Sequence, residues 1–148
     1  MEECLACRLT QGMLEPPGGK ILATRYWIVE HCVGPLGVGT LILKPVRHCV
    51  HFWELTAEES REVGPLLQQV AQIIREILNP DQIYICLWSH ANWEPGHIHF
   101  VLQPVWNKQQ QNHRKPGAFL QAEMFQAMDL PDKKEAAAFV AQAKEFLA

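Results

Sequence analysis

One long segment of helical period, set between groups of strand-like segments, limits the folds open to this chain. In "LTAEESREVGPLLQQVAQIIREIL" (residues 55–78), Val63, Leu66, Leu67, Val70, Ile73, Ile74 and Leu78 recur at intervals of three and four. That spacing gathers apolar side chains on one face of an α-helix. Thr56 precedes Glu59 by three residues, the pairing of a capping box, which starts the helix there. "NPD" ends it. Before it come three strand-like runs, "ILAT", "YWIVEHCV" and "GTLILKPV". Thr24 and Arg25 connect the first two, a glycine-punctuated "GPLGVG" leads to the third, and Pro45 ends that one. After the helix come "QIYICLWS" and "HIHFVLQPV", then a polar loop, "WNKQQQNHRKPG". Two more helices, roughly Ala118 to Met128 and Lys133 to Leu147, close the chain. Strands, one long helix, strands and then helices imply an α+β fold with mostly antiparallel pairing, not the strict alternation of a doubly wound sheet. No repeat or boundary interrupts the chain, so the expectation is a single domain over residues 1–148 with a C-terminal helical extension from about residue 105.

The chain's 148 residues suffice to bury about 68–70% of the unfolded surface. A formal net charge of −3 argues against a nucleic-acid polymer held by bulk phosphate neutralisation. No apolar run reaches the ~18 residues of a membrane span. The opening "MEECLACRLT" carries acid where a signal peptide carries positive charge, so the expected compartment is the cytoplasm. Five cysteines, Cys4, Cys7, Cys32, Cys49 and Cys86, are then expected to be reduced, and metal binding or plain burial becomes their role.

The chemistry concentrates in "HIHFVLQPV". Residues two apart on a strand share a face, about 6.6 Å apart along the chain. His97, His99, Val101 and Gln103 therefore line one face, and Ile98, Phe100 and Leu102 form a core face. Upstream, Cys4 and Cys7 in "CLAC" have the spacing with which two thiolates grip one tetrahedral zinc. Such a pair is half a site. His48, in "KPVRHCVHF", and His97 can complete it; Cys49, His51, Cys32, His31 and His90 compete, and spacing alone does not choose. A redox role for the cysteine pair lacks the βαβ context that would support it. His99 is left over, and a neutral imidazole with one nitrogen free can attack phosphorus.

These residues resemble the histidine triad superfamily of nucleotide hydrolases and transferases, in its zinc-bearing bacterial and galactose-1-phosphate uridylyltransferase-like branch. "HIHFVLQP" is similar to the signature of alternating histidines and apolar residues that ends in proline. "GTLILKPVRH" followed by "ELTAEE" is similar to the family's strand, proline, histidine and long-helix segment, and "CLAC" to its zinc pair. The resemblance spans residues 4 to about 104. It implies a half-barrel-like antiparallel sheet of about five strands packed by the long helix, in a homodimer. It also implies a structural zinc on Cys4, Cys7, His48 and His97, and a nucleophile at His99 that takes up a nucleotidyl group.

The chain departs from the pattern at the third signature position, which is Val101 where the family has histidine or glutamine. Gln103 lies one step further on the same face. The preceding loop reads "HANWEPG", offering Ser89, His90 and Asn92 as polar donors, Trp93 as a stacking surface, and Glu94 as a charge that repels phosphate unless it turns away. Arg47, Arg114 and Lys115 are the nearest cations. The implied function is a nucleotide hydrolase or nucleotidyltransferase working at an α-phosphate through a nucleotidyl-histidine. The alternative is a zinc-stabilised nucleotide-binding or sensor module on the same fold. Ser89, Asn92, Trp93 and Gln103 are the expected substrate contacts.

Overall fold

Antiparallel pairing accounts for every strand in the computed structural model, which describes residues 3–108 and 116–148. The strands are β1 (Leu22–Ala23), β2 (Trp27–His31), β3 (Leu41–Pro45), β4 (Gln82–Cys86) and β5 (Phe100–Val105), in one sheet of order β1-β2-β3-β5-β4. The tight β1–β2 connection is held by Thr24, whose Oγ1 accepts from the N–H groups of Tyr26 at 3.2 Å and Trp27 at 3.0 Å. The helices are α1 (Leu5–Thr10), α2 (Ala57–Leu78), α3 (Ala118–Ala127) and α4 (Lys133–Glu145). This is the expected α+β architecture.

Strand alternation gives the sheet two different faces. Trp27, Val29, Leu41, Leu43 and Leu102 pack against the apolar stripe of α2, where Val63, Leu66, Val70, Ile73 and Ile74 are buried. Each such aliphatic side chain contributes about 1.5–3 kcal/mol on full burial. Phe139, Val140 and Ala143 of α4 join the same cluster. The indole N–H of Trp27 donates to the Glu59 carbonyl at 3.0 Å, fixing the start of α2 to the sheet.

The capping box of α2 forms as its sequence implies: Thr56 Oγ1 accepts from the Glu59 N–H, and the Glu59 carboxylate accepts from the Thr56 N–H. Pro65 lies inside the helix and cannot donate to the carbonyl four residues back. It lies on the exposed face of the helix. Asn79, in the left-handed region at φ 45°, closes the C-terminus by donating its N–H to the Arg75 carbonyl.

The strands are shorter than the sequence pattern implies, and one difference bears on function. Regular pairing in β5 begins at Phe100, so His97 and His99 precede it in an extended lead-in. That lead-in is tied by the Ile98 N–H to the Cys49 carbonyl at 2.8 Å. The short helix α1 was not legible as a helix: six residues are too few to display a period.

Candidate functional site

The face of the sheet away from α2 carries Ile28 and Glu30 of β2, Ile42 and Lys44 of β3, and Val101 and Gln103 of β5. Helix α1 and the lead-in to β5 meet at its edge. There Cys4, Cys7, His48 and His97 come together, their ligating atoms all within 4.8 Å of one another. Among the described residues this is the one group of three or more such donors. Cys7 Sγ lies 3.2 Å from His48 Nδ1 and 3.5 Å from His97 Nδ1. On the far side of its ring, His97 Nε2–H donates to the Pro45 carbonyl at 3.0 Å, which directs Nδ1 at the thiols.

The donor set fits zinc. Ligand atoms at the corners of a zinc tetrahedron stand roughly 3.3–3.8 Å apart, and a backbone carbonyl behind a ligating imidazole is the usual outer support. Burial, and after it the neighbouring Cys4 thiol, push Cys7 up to about 11. A bare thiolate is therefore disfavoured here, and a bound cation is what ionises it. Burial pulls His97 down to about 4 against the opposing Pro45 carbonyl, keeping its imidazole in the neutral form that a metal takes.

The competing donors lie outside this group. His31 Nδ1–H donates to the Cys32 carbonyl at 2.8 Å, and its Nε2 accepts from the Gly39 N–H at 2.9 Å. Cys32 Sγ accepts from the Gly34 N–H, Cys49 Sγ donates to the His51 carbonyl, and His51 stacks on Trp53 at 4.3 Å. His90 is exposed.

His99 sits at the end of a different feature, a mainly apolar cavity of about 180 Å³ on the same face. Leu5 and Leu9 of α1 form one wall and Phe125 of α3 another, with Ile42 and Val101 from the sheet. Nδ1–H of His99 donates to the His97 carbonyl at 3.0 Å, with Ser89 Oγ at 3.3 Å. That leaves Nε2 with the free lone pair. Burial lowers the pKa of His99, opposed by the same carbonyl. The ring is half-buried.

Beside it lies an ion pair invisible to motif reading. Lys44 Nζ donates to Glu30 Oε1 at 2.5 Å and to the Ala6 carbonyl at 2.9 Å. Both residues are about 1% exposed, and both line the cavity. A signal for them did exist. The β2–β3 register pairs Ile28 with Lys44 and Glu30 with Ile42, making the opposite charges diagonal neighbours on one face.

The remaining expected contacts are dispersed. Ser89 is next to His99. Gln103 is fully buried and its amide is engaged by α3: Nε2–H donates to Met124 Sδ at 3.1 Å, and Oε1 accepts from Gln121 at 3.0 Å. Asn92 and Trp93 line a separate, shallow depression with Cys4, His48 and Gly96. Trp93 is 70% exposed there. Glu94 turns away from the cavity, its Oε1 accepting from the Leu5 N–H at the start of α1 at 2.6 Å. Arg47 is held by both Glu59 oxygens and the Glu54 carbonyl. Arg114 and Lys115 lie outside the described residues. Val101 is buried against Cys32 and Leu36, so an apolar wall stands at the third signature position.

No protein-family model matches the sequence, and a search of curated proteins finds no match. Solved structures do match. The chain is similar to a zinc-bound histidine triad family protein from Mycobacterium smegmatis, with TM-score 0.70 and 19% identity over 99% of this chain and 96% of that one. It is similar to a hypothetical histidine triad nucleotide-binding protein from Sulfolobus tokodaii, with TM-score 0.74 and 13% identity over 96% and 90%. A Hit-like protein involved in cell-cycle regulation from Bartonella henselae gives TM-score 0.73 and 12% identity over 98% and 96%. At such identities the likeness establishes the fold, which is that of histidine triad proteins.

Proposed function

We propose that this protein is a nucleotide hydrolase or nucleotidyltransferase of the zinc-bearing, uridylyltransferase-like kind, acting through a nucleotidyl-histidine. The observation that carries the reading is the orientation of His99, whose Nδ1–H is bound to the His97 carbonyl while the ring opens on the cavity. A fixed tautomer with Nε2 free is the form a nucleophilic imidazole requires. Nε2 attacks the α-phosphorus, and a P–N bond forms as the bond to the leaving group breaks. The leaving group departs with the electron pair and takes its proton from solvent. Water or another acceptor then attacks phosphorus, the P–N bond breaks, and the acceptor's proton is lost to solvent.

Cys4, Cys7, His48 and His97 would hold a structural zinc. Bound there, the metal supplies cross-linking of α1, the end of β3 and the lead-in to β5, and no activated water. His97 then has two functions: its imidazole is a ligand, and its carbonyl orients His99. The whole chain acts as one domain, soluble in the cytoplasm, and pairs as a homodimer.

Replacing His99 by Ala tests the mechanism. On dinucleoside polyphosphates, nucleoside phosphoramidates and nucleotide sugars, kcat/KM falls by roughly 10³-fold or more if His99 is the nucleophile. Unchanged turnover on the substrate that the protein uses best would contradict it. Val101 favours a second reading, because an apolar wall cannot protonate a leaving group or bind phosphate. A zinc-stabilised nucleotide sensor binds these compounds and turns none of them over.

A further inference from the structure

Gln103 shares the strand parity of His99, yet its amide is bound to α3. Its Oε1 accepts from Gln121 Nε2–H at 3.0 Å, and its Nε2–H donates to Met124 Sδ at 3.1 Å. Gln121 uses both ends of its own amide. Its second N–H donates to Cys86 Sγ at 3.3 Å, and its Oε1 accepts from the Trp88 indole N–H at 2.9 Å. One side chain thus joins α3 to β5, to the end of β4 and to the residue just before Ser89. Leu120 and Gln121 are the buried residues of α3, against Ala136, Phe139, Val140 and Ala143 in α4. With so little buried hydrocarbon, α3 relies more on its amide pair for its seating. One turn beyond Gln121, Phe125 walls the cavity of His99. A Cβ at Gly34 would stand 3.9 Å from Phe125 Cε1, so the ring reaches the loop between β2 and β3.

We infer that Gln103 and Gln121 are positioning residues for the nucleotide: their paired amides seat α3 so that Phe125 closes one side of the cavity. Neither glutamine is among the residues that line the cavity, so both act through Phe125. Both are buried, at 0% and 5% exposure, and an unpaired amide is costly in such a place. Losing either partner therefore loosens the helix that carries the wall. This inference rests on the nucleotide reading of the cavity and adds to it the pair that fixes its wall.

The test is calorimetric titration of the full chain with AMP, GMP, CMP and UMP, with Tm measured on every variant. Gln121→Met should weaken binding of the tightest of the four by roughly three- to tenfold, the size of one or two hydrogen bonds. Gln103→Met/Gln121→Met leaves neither amide of the pair without its partner, so it should regain most of the lost Tm and still bind as weakly. In a Phe125→Ala background, adding Gln121→Met should weaken binding by less than about twofold, because residues that act through one another are not additive. Unchanged affinity in Gln121→Met, affinity that returns together with Tm, or a full additional loss in the Phe125→Ala background would each overturn the inference and leave the nucleotide reading standing. Failure of the double methionine variant to fold would mark the pair as structural and overturn it too. Absence of binding by the unaltered protein to all four nucleotides would overturn the nucleotide reading, and the inference with it.

Discussion

His97 faces two ways. Its imidazole Nδ1 lies 3.5 Å from Cys7 Sγ, and its main-chain carbonyl accepts from His99 Nδ1 at 3.0 Å. The residue that would hold the metal also orients the proposed nucleophile, so the two halves of the site share one backbone position. The sharing extends to α1. Cys4 and Cys7 belong to the donor cluster, while Leu5, Ala6 and Leu9, in the same helix, line the cavity.

Metal removal should therefore affect stability and ligand binding together. A six-residue helix has too few internal hydrogen bonds to persist unaided; side chains from outside it reach it at three points, Lys44 at the Ala6 carbonyl, Glu94 at the Leu5 N–H and Lys20 at the Thr10 carbonyl. Cys4→Ser and His48→Ala are expected to lose zinc by elemental analysis, to lower Tm by roughly 10 °C or more, and to weaken nucleotide affinity in parallel. Unchanged metal content in both variants would refute the ligand assignment.

The Lys44–Glu30 pair predicts an asymmetry between single and double replacements. Lys44→Met leaves a carboxylate buried without its counter-charge and should destabilise by about 3–5 kcal/mol in urea unfolding. Adding Glu30→Leu should restore most of that loss, since two apolar groups fill the space without an unpaired charge. A double variant no more stable than the single one would show that the pair is not the source of the cost.

Glu59 gives a pH dependence of defined sign. Its hydrogen bonds from Arg47, and then from the Thr56 N–H, hold the carboxyl below its ordinary range. The unfolded chain therefore takes up this proton first as acid is added, so the stabilisation is present above the usual glutamate pKa and is lost as pH falls through the folded value. The stability gap between the protein and Glu59→Gln should be widest near pH 7 and close progressively below about pH 4.5. A gap independent of pH would mean that the charge on Glu59 is not what stabilises the start of α2.

The two cavities make opposite predictions for two exposed aromatics. Phe125 walls the cavity of His99, and Trp93 the shallow depression beside Cys4 and His48. Phe125→Ala should weaken nucleotide binding roughly two- to tenfold, and Trp93→Ala should leave it unchanged. The reverse pattern would place the nucleotide in the other depression.

Much of the fold was legible because its signals are periodic. The stripe of α2 states a face, the Thr56–Glu59 box states a start, and the apolar runs holding "WIVEH" and "LILKP", bounded by turn residues, state strands. What escaped was short or tertiary. Helix α1 has six residues and no period. His97 and His99 alternate as a strand does, yet the pairing of Ile98 with Cys49 holds them outside the ladder. Gln103 shares the parity of His99, but α3 covers it, and nothing in β5 announces that cover. The sequence left Cys49, His51, Cys32, His31 and His90 as rival donors; only their positions in three dimensions separate them from the cluster. Glu30 and Lys44 were readable in principle, as opposite charges of matching parity in neighbouring strands. Motif reading passes over them because neither belongs to a signature.

The most direct measurement is intact-protein mass spectrometry after brief mixing with dinucleoside polyphosphates, nucleoside phosphoramidates and nucleotide sugars, with His99→Ala alongside. Covalent catalysis by His99 predicts an acid-labile mass gain of one nucleotidyl unit on the protein and none on the variant. Unmodified protein throughout, with nucleotide binding still measurable by calorimetry, would contradict covalent catalysis and leave a nucleotide sensor in its place.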